Sequence, residues 1–268
     1  MPTARPRRRA MSETAASMPS SETIEVLRNR VSIRKYRDRP VDDATVETIL
    51  SAAFRAPTSS NIQSYSVIVV RDRDTLKALQ KVAGGQPHVA QTPVFLAFCA
   101  DLTRIEQALL ARGHSIDDNN LETGLVSSID AALVGMSAYL AADSLGLKGV
   151  MIGAVRNDAL ATAQILKLPH RVYCVFGMCL GWPAEAPPQK PRMAFDTIVH
   201  CERYGVRREG GDLAATVADY DAALARHYAA AGKATTPDSW SHDMDKKFHP
   251  PLREKLREEL RRLGFDFR

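Results

Sequence analysis

The sequence lacks the long apolar run that a membrane-spanning helix requires. None of its 268 residues belongs to an uninterrupted apolar stretch of about 18 residues. The first 21 residues contain arginines but no apolar segment of the kind found in secretory signals. We therefore predict a cytoplasmic protein that has no membrane partner.

Cysteines are few, and their spacing is not that of a disulfide framework or a zinc site. The four cysteines form no Cys-x-x-Cys pair, and three of them lie within apolar runs. The seven histidines show no zinc-ligand spacing with these cysteines. The sequence therefore predicts no metal site, and free, mostly buried thiols in a reducing compartment. The cysteines are Cys99, Cys174, Cys179 and Cys201.

Motifs for several common enzyme chemistries are also missing. The chain has no G-x-x-x-x-G-K-[ST], no G-x-G-x-x-G after a predicted strand, no H-E-x-x-H and no G-x-S-x-G. These absences argue against nucleotide hydrolysis, metalloprotease chemistry and serine hydrolysis.

Positive charge is concentrated at the amino terminus. The net charge is +5, and the four arginines and one glutamate of residues 1–21 account for +3 of it. We expect this tail to be flexible. Its basic cluster is short and has no interleaved aromatic residues, so binding to nucleic acid is disfavoured.

Hydrophobic patterns predict a mixture of strands and helices. Short β-branched or apolar runs indicate buried strands at residues 67–70, 94–100 and 172–180, with a further short run at 150–152. Helical patterns cover residues 76–82, 121–147, 156–168, 213–231 and 255–263, and capping residues predict two more helices that begin near Ser21 and Asp42. These elements do not alternate as regular βαβ units, which favours an α+β fold.

The longest helical pattern, over residues 121–147, is apolar or small on nearly all sides. Leucine, valine, isoleucine and methionine recur along it, and alanine and glycine fill much of the remainder. We expect this helix to be buried on all sides, in a core or at a subunit interface.

Several segments offer side chains that suit one flat, anionic cofactor such as flavin mononucleotide (FMN). Cations would bind its phosphate, and small hydroxyl and amide groups would bind the edges of its ring. A glycine would let the main chain approach closely. Taken singly, such arginines also occur on solvated surfaces and such serines in turns. The candidates are Arg34, Lys190, Arg192, Ser32, Thr58, Ser59, Ser60, Asn61, Gln63, Gln86 and Gly153.

Several motifs resemble those of the nitroreductase and flavin reductase family. Arg30-Val-Ser-Ile-Arg-Lys-Tyr36 resembles that family's opening R-S-[IV]-R-x-[FY] motif, and Arg55-Ala-Pro-Thr-Ser-Ser-Asn-Ile-Gln63 resembles its serine-rich loop beneath the flavin. Three further segments are similar to its NADPH-dependent group A branch: Gly84-Gly-Gln86, Gly149-Val-Met-Ile-Gly-Ala-Val-Arg-Asn157, and Leu180-Gly-Trp-Pro183 with Lys190-Pro-Arg192. Their order and spacing hold from about residue 24 to residue 240.

The resemblance implies which residues bind the cofactor. Arg30, Ser32 and Arg34 would hold the FMN phosphate together with Lys190 and Arg192. The serine-rich loop and Gln86 would contact the ring system or the ribityl chain, and residues 151–154 would run along the isoalloxazine. The implied set is Arg30, Val31, Ser32, Ile33, Arg34, Thr58, Ser59, Ser60, Asn61, Gln63, Gln86, Met151, Ile152, Gly153, Ala154, Lys190, Pro191 and Arg192.

The resemblance also implies the fold and the reaction. The fold would be a nitroreductase-like homodimer in which helices flank a central mixed, mainly antiparallel sheet, with an FMN-binding core at residues 22–205 and a helical extension at 206–268. The enzyme would take hydride from NADPH or NADH and reduce nitroaromatics, quinones or related small acceptors by a ping-pong mechanism. The flavin would carry the chemistry, so no catalytic side chain is expected.

Two alternative functions stay open at this point. A flavin reductase of the same family would release reduced FMN to a partner. A less favoured alternative is a non-enzymatic flavin-binding protein, or a nucleic-acid-binding protein that uses the basic tail.

Some positions depart from the family pattern. Arg30 and Val31 replace the branch's usual His and Arg, Asn61 replaces a more apolar or Ser-like residue, and Ala154 replaces the second glycine of an Ile-Gly-Gly sequence. The loop that usually carries an arginine for the 2′-phosphate of NADPH contains none here and ends in Lys233. Lys233 is the candidate for that role, and the preference between NADPH and NADH stays open.

Overall fold

The computed structural model describes residues 19–116, 121–206, 212–237 and 239–267. Its strands are β1 (Tyr65–Val70), β2 (Val94–Asp101), β3 (Lys148–Ile152) and β4 (Val172–Gly181). They form a sheet in the order β1-β2-β4-β3, and each neighbouring pair is antiparallel. The predicted α+β class and the mainly antiparallel sheet are confirmed.

Helices cover both faces of this sheet. In chain order they are α1 (Glu22–Arg28), α2 (Asp43–Ala53), α3 (Arg73–Val82), α4 (Pro87–Gln91), α5 (Thr103–Leu110), α6 (Leu121–Ser144), α7 (Ala159–Leu166), α8 (Phe195–Ile198), α9 (Leu213–Ala230), α10 (Ser239–Phe248) and α11 (Leu256–Arg262). Short 3₁₀ turns lie at Ser59–Asn61 and Gly153–Asn157.

The central strand β2 is buried along its whole length because both of its faces are covered. Leu96 and Phe98 pack with residues of α2 and α6 on one face. Phe95, Ala97 and Cys99 pack with residues of α3 on the other. This double coverage explains why the strand is a continuous apolar run in the sequence. Cys99, Cys174 and Cys179 are buried, as predicted, whereas Cys201 is partly exposed.

Within this chain the long helix is buried on one face, and its burial at a subunit interface on the other face stays a prediction. Helix α6 buries Ala131, Val134 and Ala138 against the sheet. On the opposite face, Leu125 is 44% exposed, Ile129 53% and Leu133 39%. A helix packed on a sheet buries only one face in a single chain, so the described residues leave this stripe at i, i+4 and i+8 uncovered.

Helix α6 is also long and apolar enough to cross a membrane, by length and composition alone. Asp130 lies near its middle, is fully buried and accepts hydrogen bonds from Ser59 and Ser64. These contacts are those of a core helix.

Some helix boundaries differ from prediction because a local cap decides them. The pattern at 156–168 divides into the 3₁₀ turn at Gly153–Asn157 and α7, since the side chain of Asp158 accepts a hydrogen bond from the Ala161 amide and starts a new helix. Ser21 caps α1 as predicted. Residues 1–18 of the predicted flexible tail lie outside the described residues.

Candidate cofactor site

The segment that carries the opening motif is held in place by β3, by α6 and by the proline-rich loop after β4. The Ile33 amide donates to Gly149 O at 3.0 Å, and the Tyr139 hydroxyl donates to Val31 O at 2.7 Å. The Glu185 carboxylate accepts from the Arg34 amide at 2.6 Å. These contacts fix the main chain of the motif and leave its cationic side chains free to line a cavity.

A cavity of about 260 Å³ lies between this segment, the proline-rich loop and the end of α9. Among the described residues its wall has cationic side chains and no acidic one. Like charges around one cavity repel each other, and a bound anion removes that repulsion. The wall therefore suits a phosphate group. Its cations are Arg30, Arg34, Lys190, Arg192 and Lys233.

Two lysines meet at Tyr228, a residue that the sequence analysis did not identify. Lys190 Nζ donates to the Tyr228 hydroxyl at 2.7 Å, and Lys233 Nζ lies 5.6 Å from the centre of the same ring. Tyr228 belongs to no quoted motif, so nothing in the sequence marked it. Lys233 thus lies in the same cavity as the predicted phosphate ligands.

The structure brings together most of the predicted phosphate-binding residues. Val31 and Ser32 line the cavity beside the cations. Ile33 is 1% exposed and does not line the cavity, and its amide and carbonyl bond to Gly149 O and the Tyr36 hydroxyl. Pro191 does not line the cavity, and its carbonyl accepts from Tyr220 and Arg192.

The predicted ring-binding loop protrudes before β1 and is held in an unusual conformation. Ser60, Asn61 and Gln63 have φ values of 47°, 56° and 53°, in the left-handed region that non-glycine residues seldom adopt. The side chain of Gln63 donates to Asn61 Oδ1 at 3.2 Å. The loop is exposed from Ser59 to Gln63, with Thr58 half-buried at its start.

Asp130 of α6 holds this loop at both ends. Its carboxylate accepts from the Ser59 amide at 3.0 Å, from the Ser64 amide at 3.2 Å and from the Ser64 hydroxyl at 3.0 Å. From the other side, Arg104 donates to Gln63 O at 3.1 Å. The strained loop is therefore preorganised by groups outside it.

The predicted segment along the ring comprises the last two residues of β3 and the two residues after it. Met151 is 38% exposed and Ile152 is buried. A Cβ placed on Gly153 would lie 3.5 Å from Arg156, an ordinary contact, so packing within the chain does not require glycine there. A ligand that approaches the main chain closely would require a glycine at this position. Ala154 is half-buried.

The ring-binding candidates lie apart from the cationic cavity. Neither the loop from Thr58 to Gln63 nor residues 151–154 line it, and Gln86 donates to Ala83 O at 2.9 Å instead. Within the described residues, no group of three or more His, Cys, Asp or Glu side chains is placed to hold a metal.

His88 is a further polar residue close to the cationic opening motif. It is buried, and its Nε2 atom has no hydrogen-bond partner among the described residues. Burial lowers the pKa of His88, and the charge of Arg34 lowers it further. His88 is therefore favoured in its neutral form beside the cationic segment.

The fold and the site define an α+β protein with a cationic cavity between its opening motif, its proline-rich loop and the end of α9. The family models for "Nitroreductase family" and "Nitroreductase family, C-terminal domain" match residues 27–182 and 190–268. The chain belongs to the nitroreductase family.

Relatives extend along almost the whole chain. The oxygen-insensitive NADPH nitroreductase of Salmonella typhimurium is 39% identical over 91% of this chain and 98% of its own. The FMN reductase [NAD(P)H] of Bacillus subtilis is 34% identical over 89% and 97%. The structure of B. megaterium NfrA2 superposes with a TM-score of 0.87 at 32% identity, covering 93% of this chain and all of that one.

Proposed function

We propose that this protein is an FMN-dependent oxidoreductase that uses NADPH or NADH to reduce small acceptors such as nitroaromatics or quinones. The observation that carries the proposal is the cavity in which cations from the opening motif, the proline-rich loop and α9 meet without an acidic side chain among the described residues. Relatives named as an NADPH nitroreductase and an FMN reductase also align with most of the length of this chain.

Within that cavity, Arg30, Arg34, Lys190 and Arg192 would bind the cofactor phosphate through charge-assisted hydrogen bonds. Bound FMN supplies the capacity to accept a hydride and to pass it on. Tyr228 orients Lys190 toward the cavity through the 2.7 Å hydrogen bond between them. The chain thereby fixes one end of the cofactor and sets where its ring can lie.

The ring would be bound by the loop from Thr58 to Gln63, by Gln86 and by residues 151–154. The preorganised loop supports this assignment because Asp130 already holds its main chain at both ends, so a ligand orders it at little further cost in entropy. The absence of a side chain at Gly153 supports it because a planar ligand could approach the main chain there, beside the Arg156 side chain.

A homodimer would bring these separated parts together. The exposed stripe of Leu125, Ile129 and Leu133 is an apolar face of the kind that a second copy covers. We infer that two chains associate through α6, that each cofactor site lies near this interface, and that the enzyme is cytoplasmic.

The electron donor would bind over the same ring after the cofactor is in place. Lys233 is proposed as the ligand of the NADPH 2′-phosphate, although it lies in the cavity assigned to the cofactor phosphate. A neighbouring cavity of about 420 Å³ is also lined by Tyr228, together with Thr235, His242 and Lys246, and could hold the rest of the dinucleotide.

A flavin reductase that releases reduced FMN is the second candidate function, favoured by the relative named FMN reductase. The two functions differ in how the protein retains its flavin. Gel filtration of the protein after anaerobic reduction separates them, because a nitroreductase keeps its flavin in the protein peak and a flavin reductase of this kind loses it.

The cavity assignment predicts that affinity depends on the phosphate. Titration of flavin-free protein with FMN and with riboflavin, followed by flavin fluorescence, should give about 100-fold tighter binding of FMN, since several charge-assisted contacts reach only the phosphate. Lys190→Ala should weaken FMN binding about tenfold and leave riboflavin binding unchanged.

The matched control is Lys77→Ala, which removes an exposed lysine of α3 that pairs with Asp74. It should leave both affinities unchanged. Equal affinities of the unmodified protein for FMN and riboflavin would contradict the assignment.

A further inference from the structure

A second cationic cavity of about 420 Å³ lies outside the cofactor site. Four arginines line it, and Asp38 is the acidic residue on its wall. None of these residues lines the cofactor cavity. The four are Arg37 and Arg39, which follow the opening motif, and Arg71 and Arg73, which follow β1.

Two of these guanidinium groups are fixed by the turn after β4. Arg37 Nε donates to Pro183 O at 2.9 Å. The guanidinium of Arg39 lies 3.6 Å from the centre of the Trp182 ring, whose Nε1 in turn donates to Pro40 O at 3.1 Å. Stacking of this kind holds an arginine without using its N–H groups.

The other two are held mainly by main-chain carbonyls. Arg71 Nη1 donates to Val41 O at 2.5 Å, and Arg73 Nη1 donates to Thr92 O at 3.0 Å. Carbonyls are neutral, so these bonds orient the groups without cancelling their charge. The direct ion pair is between Arg71 and Asp43, at 2.9 Å, and the Asp43 side chain is 88% exposed, so solvent screens it.

N–H donors therefore remain available at the cavity. Among the described residues the Arg39 side chain donates no hydrogen bond, and the Arg37 side chain donates only through Nε. A guanidinium presents five N–H donors in a planar fork that matches two oxygens of a phosphate. Donors that are held in place but unused are the feature expected of a binding site before its anion arrives.

We propose that this arginine cavity, defined by Arg37, Arg39, Arg71 and Arg73, binds a small molecule that carries two or more linked phosphates. One phosphate can accept from about two guanidinium forks, so four arginines match a diphosphate or a longer chain. The volume of about 420 Å³ leaves room for more than a single phosphate. The proposal does not depend on the cofactor assignment, because the two cavities share no lining residue.

The test is calorimetric titration of the protein with sodium pyrophosphate, at constant ionic strength and with saturating FMN in all solutions. We expect saturable binding of one pyrophosphate per chain. Arg39→Ala should weaken it about tenfold, and Arg37→Ala should do the same through a different contact, since each removes one charge-assisted group. Because Arg39 stacks on Trp182, the Arg37 variant keeps the test valid if Arg39→Ala unfolds.

Two control variants distinguish binding in the arginine cavity from a general effect of net charge and from binding in the cofactor cavity. Arg257→Ala removes an exposed arginine of α11 and the same unit of charge, and it should leave the affinity unchanged. Lys190→Ala lies in the cofactor cavity and should also leave it unchanged.

Several results would overturn the proposal. One such result is a heat of binding that does not saturate as pyrophosphate is added. Another is that Arg39→Ala and Arg257→Ala weaken pyrophosphate binding equally. Sulfate that binds as tightly as pyrophosphate at the same ionic strength would indicate an adventitious ion only. Loss of pyrophosphate binding in Lys190→Ala would place the anion in the cofactor cavity instead.

Discussion

At the scale of single residues, one buried carboxylate controls the shape of the proposed ring-binding loop. Asp130 is fully buried, and three donors at the two ends of the loop satisfy it. Buried carboxylates of this kind are costly unless fully paired, and here the pairing holds three left-handed residues in place. Asp130 is therefore a positioning residue for the loop.

Asp130→Asn should destabilise the protein and weaken flavin binding. The amide keeps one acceptor and adds an N–H group that faces other donors, so we expect a loss of about 1 to 3 kcal/mol in the free energy of unfolding. The loop would then be less well held. We expect the dissociation constants of FMN and of riboflavin to rise by a similar factor, because the phosphate contacts are unchanged.

Urea unfolding and flavin titration measure the two effects. Ser137→Ala is the control, since its exposed hydroxyl also lies on α6 but bonds only to Leu133 O. Unchanged flavin binding in Asp130→Asn would contradict the positioning role.

Some site residues could be predicted from the sequence and others could not. Arg30, Arg34 and Lys190 were proposed as phosphate ligands because the segments that carry them resemble motifs of the family, and all three line the cationic cavity. Asp130 and Tyr228 were not, because their roles arise only when α6 and α9 are brought to segments more than 30 residues away. An isolated acid or tyrosine within a helical pattern carries no such signal.

At the scale of elements, α6 joins the proposed site to the proposed dimer interface. One face packs on the sheet and anchors the loop through Asp130. The neighbouring residue Ile129 is 53% exposed on the opposite face. A change in the packing of α6 at the proposed interface would therefore also affect the loop that Asp130 positions.

Ile129→Glu should convert a dimer to a monomer. A carboxylate within an apolar interface is costly to desolvate, so the association constant should fall steeply. Light scattering coupled to gel filtration should give twice the chain mass for the unmodified protein and about half of that for the variant. Leu110→Glu, at a residue 53% exposed on α5, should remain dimeric. An unmodified protein that is monomeric at micromolar concentration would rule out the homodimer.

The strands were easier to predict than several of the helices. β2 and β4 are apolar runs because they are buried on both faces, and the predicted limits are within one residue of those observed. The short or polar helices α4, α5 and α10 carry little periodicity and were missed.

Helix α10 is held by Asp221, which accepts from the Trp240 and Ser241 amides at 2.8 and 2.9 Å. Burial works to raise the pKa of Asp221, and these hydrogen bonds hold it below its usual value.

At the scale of the whole molecule, the cofactor cavity is assembled from distant parts of the chain. The opening motif, the proline-rich loop and α9 each supply cations. The C-terminal segment also joins the core, since Leu260, Leu263 and Phe265 pack with Ala100 and Tyr173. The division into a core at residues 22–205 and a helical extension at 206–268 stays a prediction. Residues of both segments line the cavity.

The most direct test of the central claim is the visible absorption spectrum of the FMN-loaded protein during anaerobic titration with NADPH and, separately, with NADH. We predict that one equivalent of the preferred donor bleaches the flavin bands and that a nitroaromatic or quinone then restores them. Bound flavin that neither donor reduces would contradict the assignment as an oxidoreductase, even if the cavity binds FMN.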